Sequence, residues 1–418
     1  MTEPSNPIDA KDVGMDSSLL SRVGEYLQRD IDAGLNYGSS LLVARHGKVV
    51  HRTILGVAEP GRPLASSDVF MQMSMSKAYT AVLVLRAIEA GRFELDTRVA
   101  EIIPAFAAHG KDRATIRQLL NHTAGLPSAP VAPPASLATA GHLAEHARAI
   151  EKLKPVYEPG TRCAYTSGTG YDMLGQILVE TDPQGRSFRE IAHQEIFGPL
   201  GMTSSSFGFP VDDPRRVPVS ATPKSASPTV PVVSKIFNNL GTWAEYPCAG
   251  CFGDINDVLT FAEALAGRGP ADYQLLSPEM FEIARQNTTG DLPLETIMVK
   301  GLPTLRQMIK TLGLPRLVKT ARAARRASTR VTFDPTPYPA HFTLLGGYTR
   351  GTGNIFTPAG RAASPSSLVA VGGGSTGWMI DPERDLTVVF MSAGLVEGFE
   401  HPRRLQQIND LVIASAID

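Results

Sequence analysis

Residues 70–99 read FMQMSMSKAYTAVLVLRAIEAGRFELDTRV. From Met75 to Ala90 the stretch is rich in Ala and Leu, the strongest helix signal in the chain. Gly91 then stands where a helix is closed by a residue free to take a positive φ. Ser74-Met75-Ser76-Lys77 opens that helix, and a separation of three residues puts Ser74 and Lys77 on one face of the first turn. A seryl hydroxyl is a weak nucleophile until a base takes its proton. A lysine does so only when neutral, a state that burial and a nearby positive dipole favour. The helix N-terminus supplies such a dipole and a backbone N–H for an oxyanion. With 11 lysines in the chain, about one Ser-x-x-Lys is expected by chance. Only one is present, so its context decides.

Outward from this helix, Ser17 or Ser18 is expected to cap an earlier one carrying Leu19, Leu20, Val23 and Leu27 on one face. Ser39–Ala44 and Val49–Leu55 read as a strand hairpin around His46-Gly47-Lys48. From Thr115 to about residue 270 the signals are mostly helical, with loops at Pro127–Pro134 and Val211–Val233. Ser367–Val371, Gly377–Ile380 and Leu386–Ser392 read as short strands and Pro402–Ala416 as a closing helix. Strands at both ends around a helical middle predict an α+β fold, an antiparallel sheet flanked by helices and built from both chain ends, with an inserted helical lobe. The expected division is a leader over 1–16, a sheet domain from 17–120 and 342–418, and a mostly helical domain over 121–341.

Composition narrows the class. Hydrophobic residues make up 43% and charged residues 19% of 418, which excludes a disordered or fibrous chain. The net charge of −1, from 40 basic and 41 acidic residues, gives no nucleic-acid signature. Three cysteines make no disulfide framework, and the start lacks a basic and an apolar region, so the expected compartment is the cytoplasm. No apolar run reaches the length of a transmembrane segment. One segment departs from the average: 296–333 holds nine Lys/Arg and no acid. Leu302, Leu305, Met308, Ile309 and Leu312 share one helical face there. It reads as a solvated helical pair or, more sharply, as a lid or a docking surface for an anionic partner such as an acidic acyl-carrier protein.

Further motifs surround the Ser-x-x-Lys: IRQLLNHTAGLP (116–127), PGTRCAYTSGTGYDMLGQIL (159–178), IFGPLGMTSSSF (196–207) and GWMIDPERDLTVVFMSAG (377–394). Together with 70–99 they resemble the serine β-lactamase-like family, which includes class C β-lactamases, D-amino acid peptidases, family VIII carboxylesterases and transesterases. The resemblance covers most of 15–290 and 342–418, in the family's order. It implies that Ser74 is the nucleophile and Lys77 its lysine. It also implies that Tyr165, after Pro159-Gly160-Thr161, is the general base shared by both. The family's Asn after the tyrosine is replaced by Thr166-Ser167. A third motif, usually Lys-Thr-Gly, His-x-Gly or Trp-Gly-Gly, falls near Ala370-Val371-Gly372, where no Lys, His or Trp stands. The resemblance leaves the N–H of Gly373, or of a neighbour, to complete an oxyanion hole with that of Ser74. The missing side chain argues against β-lactam or peptide carboxylates as substrates.

Four alternative groups compete for a role. Gly373–Gly377 matches the G-x-S-x-G elbow around Ser375, with His401 downstream, but a strand-like segment follows it and the chain ends too soon for a doubly wound fold. Cys248-Ala249-Gly250-Cys251, before a helix capped by Asp254, has no thioredoxin-like surroundings and no second metal pair, so packing is its expected role. His122 is expected to pack locally, and Ser76 to be a helix-start residue. The expected activity is hydrolysis of small-molecule esters through an acyl-serine, without cofactor or metal. The alternatives are acyl transfer to an alcohol, amine or thiol, a β-lactamase, and a binding relative without catalysis.

Overall fold

Asp16, one residue before the two serines expected to do so, caps the first helix. Its carboxylate accepts from the N–H groups of Ser18 and Leu19, at 2.8 and 3.3 Å. That helix, α1 (Ser17–Asp32), buries Leu20, Val23 and Leu27, each side chain stabilising the fold by roughly 1.5–3 kcal/mol relative to exposure. The computed structural model describes residues 7–129, 132, 139–226, 230–299, 331–352, 357–396, 398 and 400–417. Residues 10–15, expected as part of a loose leader, are instead packed: Ala10, Val13 and Met15 are buried and Met15 bridges to Ala416.

The main sheet joins β1 (Gly38–Arg45), β2 (Lys48–Glu59) and β3 (Arg62–Pro63) to β10 (Tyr348–Thr349), β11 (Leu368–Gly372), β12 (Thr376–Asp381) and β13 (Leu386–Ala393), in the order β10-β11-β12-β13-β1-β2-β3. Every pair in it is antiparallel. The two chain ends meet at β1 and β13, from Gly38 opposite Ala393 to Arg45 opposite Leu386. The β1–β2 turn uses His46 and Gly47, both at positive φ, as a two-residue hairpin requires. Side chains alternate between faces. Leu41, Val43, Val388 and Phe390 pack with α1 and the helix Glu400–Ile413. Leu42, Ala44, Val389 and Met391 belong to the core shared with α2 (Ser76–Glu89) and the helix Ile255–Leu265. All eight residues of β13 are therefore buried, which explains its nearly continuous apolar run.

Helix α2 lies between that sheet and the helical lobe, and every residue from Ser76 to Leu85 is buried. A helix apolar on all sides suits such a central place. Gly91 follows at φ 71°, closing the helix as its position in the sequence predicts. In the lobe, Leu143–Glu151 packs against Thr169–Glu180, which also packs against α2. Among the described residues two small sheets accompany the main one: β4 (Phe70–Met71) with β7 (Cys251–Gly253) and β6 (Ser206–Phe207), and β5 (Cys163–Ala164) with β8 (Pro293–Val299) and β9 (Val331–Pro339).

The flanks of the basic segment are strands, not helices. β8 and β9 pair antiparallel with Val299 opposite Val331, in keeping with their β-branched and aromatic content. Residues 300–330, which carry the helical-pair and docking expectations, lie outside the described residues. Among the described residues no helix is long and apolar enough to cross a membrane.

Candidate active site

Ser74 sits in the single 3₁₀ turn Met73–Met75 that leads into α2. The turn is held from three sides. Gln72 donates its N–H to the Cys251 carbonyl at 2.9 Å. Its side-chain oxygen accepts from the Tyr79 hydroxyl at 2.9 Å, and its own carbonyl accepts from Thr376 Oγ1 at 3.0 Å. Met73, immediately before the serine, has φ 47°. A non-glycine residue persists there only where its surroundings over-determine it.

Around Ser74 Oγ two side chains converge. The Tyr165 hydroxyl donates to it at 2.7 Å, and Lys77 Nζ lies at 3.4 Å. Lys77 is 1% exposed. Its nitrogen donates to the carbonyls of Ser167 and Cys248, each at 2.9 Å, and lies 5.0 Å from the centre of the Tyr165 ring. A buried polar group is tolerated when it is hydrogen-bonded in this way. Tyr165 follows β5 and is packed between His122, at 4.8 Å between ring centres, and Phe342, at 6.3 Å. Ser74, Tyr165, Ser167 and Ser128 are partly exposed while most of their neighbours are buried, so they form the reachable floor of the site. The third-motif stretch lies at the end of β11. A Cβ on Gly372 would stand 2.2 Å from the Gln72 carbonyl, and one on Gly373 3.4 Å from Met73 Sδ. The β11–β12 turn is thus in contact with the residues just before Ser74. Ala370 and Val371, where a Lys, His or Trp is usual, present only aliphatic groups.

The remaining candidates fall elsewhere. Ser375 is fully buried at φ 61° in the β11–β12 turn, its hydroxyl accepting from the Val396 N–H at 2.7 Å. His401 is buried, bonded through Nε2 to the Thr376 carbonyl, and burial pushes it down to about 3. The two form no nucleophile–base pair with each other. Burial raises the thiols of Cys248 and Cys251 well above their usual range, the opposite of activation. Ser76 accepts the Cys251 N–H at 2.9 Å as a buried structural hydroxyl. His122 takes the Thr166 N–H on Nδ1 at 3.2 Å, and burial, with the charge of Lys77, holds it well below its ordinary value. It is a neutral brace for the Tyr165 segment. Sequence reasoning did not find the carbonyls of Ser167 and Cys248 or the hydroxyl of Ser128, and backbone acceptors leave no residue-type signal.

A family model described as Beta-lactamase matches residues 27–413. Among curated proteins, penicillin-binding protein 4 of Amycolatopsis lactamdurans is 30% identical over 278 residues, 63% of this chain and 69% of that protein. Among solved structures, EstCE1, described as a hydrolase with promiscuous acyltransferase activity, superposes with a TM-score of 0.69 at 21% identity, covering 94% of this chain and 98% of its own. A family VIII carboxylesterase superposes with a TM-score of 0.64 at 18% identity, covering 95% and 98%.

Proposed function

The chain belongs to the Beta-lactamase family, and from that premise we propose that it hydrolyses small-molecule esters through an acyl-serine on Ser74. The observation that carries the reading is the convergence of Tyr165 and Lys77 on Ser74 Oγ, at 2.7 and 3.4 Å. In this reading one member of the Tyr165–Lys77 pair enters the step without its proton and takes the proton of Ser74 Oγ as that oxygen attacks the ester carbonyl carbon. The tetrahedral oxyanion is held by backbone N–H groups of Ser74 and Gly373. Collapse expels the alcohol, which leaves with that proton. Water then attacks the acyl carbon, gives its proton back through the same pair, and releases the carboxylic acid with Ser74 restored.

Preference for esters over β-lactams rests on Ala370 and Val371, which offer no cation for a substrate carboxylate. Acyl transfer shares the first half of this chemistry and differs only in what reaches the intermediate. It is the second reading, favoured by the likeness to EstCE1. The test is intact-mass analysis after mixing with p-nitrophenyl esters of graded chain length, with and without added alcohols, amines and thiols. The parent should gain the acyl mass and Ser74→Ala should not, while ester turnover exceeds cephalosporin turnover by orders of magnitude. Labelling that persists in Ser74→Ala and disappears in Ser375→Ala would overturn the assignment.

A further inference from the structure

Away from the reacting groups, the lobe holds a buried acid–imidazole pair that the mechanism does not use. Asp172 on the helix Thr169–Glu180 is 0% exposed and His146 on Leu143–Glu151 is 2% exposed. His146 Nδ1 and Asp172 Oδ2 are 2.5 Å apart. Burying two such side chains costs more than burying an apolar pair of similar volume, so what the pair orients is of interest. The Ala132 N–H points at His146 Nε2 at 2.6 Å. A backbone N–H only donates, so Nε2 is the acceptor and the proton of the neutral ring sits on Nδ1, facing Asp172. The other oxygen, Oδ1, accepts the Cys248 N–H at 2.9 Å. The carbonyl of the same residue, Cys248, is one of the two that hold Lys77 Nζ.

We infer that His146 and Asp172 are positioning residues for Lys77, an inference that rests on reading Lys77 as part of the acylating centre. A tetrahedral amine has three directions beyond its own carbon. With two fixed by the Cys248 and Ser167 carbonyls, the third is left for Ser74 Oγ. The pair acts directly on the residue that carries one of these carbonyls. It fixes Cys248 through the Asp172–N–H bond. It also anchors Ala132, while the other carbonyl's residue is braced separately by the Ser128 hydroxyl, which accepts the Ser167 N–H at 3.3 Å and donates to Ser167 Oγ at 3.3 Å. Neither His146 nor Asp172 touches Ser74, so their effect reaches the reaction only through where Lys77 points.

The test compares Asp172→Asn, His146→Asn and His146→Leu with the parent on p-nitrophenyl butyrate, reading the acylation rate constant, KM and the melting temperature. Asparagine at 146 keeps a donor where Nδ1 stands, and leucine does not. If the pair aims Lys77, Asp172→Asn and His146→Leu lower acylation about ten- to a hundredfold with KM nearly unchanged, as small misplacements at a reacting centre do. His146→Asn then restores a large part of what leucine loses. Should Asp172→Asn not fold, the two His146 variants decide the matter. Folded His146→Leu acylating within about threefold of the parent, or asparagine giving no rescue, overturns the inference. Full activity of Ser74→Ala would instead overturn the underlying reading of the centre.

Discussion

In the proposed mechanism Tyr165 acts through a single hydroxyl, while its ring is held by His122 and Phe342 whatever that hydroxyl does. Tyr165→Phe should therefore leave the fold and the melting temperature in place while acylation falls about 10²–10⁴-fold, roughly 3–5 kcal/mol of barrier. Lys77→Met should be at least as damaging, because it removes the amine that lies 3.4 Å from Ser74 Oγ and 5.0 Å from the centre of the Tyr165 ring. If the two side chains act as one unit, the double variant is little worse than the worse single one. Values of kcat/KM for the three, with circular dichroism to confirm folding, check this. A folded Tyr165→Phe protein within about threefold of the parent would remove the hydroxyl from the mechanism.

The elements that position Ser74 meet at one seam, where the 3₁₀ turn Met73–Met75 leans on the β11–β12 turn and on β7. The seam is tight: Gly372 has room for no side chain, since a Cβ would lie 2.2 Å from both the Gln72 carbonyl and Thr376 Oγ1. Gly372→Ala must push the strand end away from the turn or displace Thr376, at a cost of typically 1–3 kcal/mol for such overpacking. The expected result is a lower melting temperature together with a loss of acylation larger than that of a distant variant equally destabilised. Gly61→Ala serves as that comparison, because its glycine has open space around it and a strained φ of 89°. Equal activity of the two variants at matched stability would show that the seam does not control the serine.

At the scale of the whole molecule, the carboxyl of Asp257 is expected to make stability depend on pH. Asp257, on the helix Ile255–Leu265, is buried, and desolvation, reinforced by Asp254, pushes it up to about 7. Its raised value means that the folded state holds a proton that the unfolded chain releases from about pH 4 upward. Stability from this group is therefore full below pH 4, falls as pH rises towards 7 and is level beyond. Between pH 5 and pH 8 the loss is on the order of 2–3 kcal/mol. Asp257→Asn cannot titrate and should lose less stability across that interval in urea unfolding. Parallel curves for parent and variant would exclude the effect.

Much of this was legible along the chain because it depends on local repetition. The spacing of Ser74 and Lys77 follows from helix geometry, Gly91 marks the end of α2, and the apolar runs of β11 to β13 announce strands to within a residue or two. The order of motifs carried the family. What the chain alone did not determine depends on contacts between distant segments. Tyr165 meets Ser74 across 91 positions. Ser375, in a sequence that imitates a nucleophile elbow, is closed off by Val396. Asp16, rather than Ser17 or Ser18, caps α1 because its carboxylate reaches two N–H groups. The acceptors that orient Lys77 are backbone carbonyls, and the pair behind them, His146 and Asp172, comes from two different helices. Every residue offers a carbonyl, so sequence cannot distinguish the ones that matter; the packing of the lobe against α2 selects them, because there a buried amine has to find its partners inside the protein.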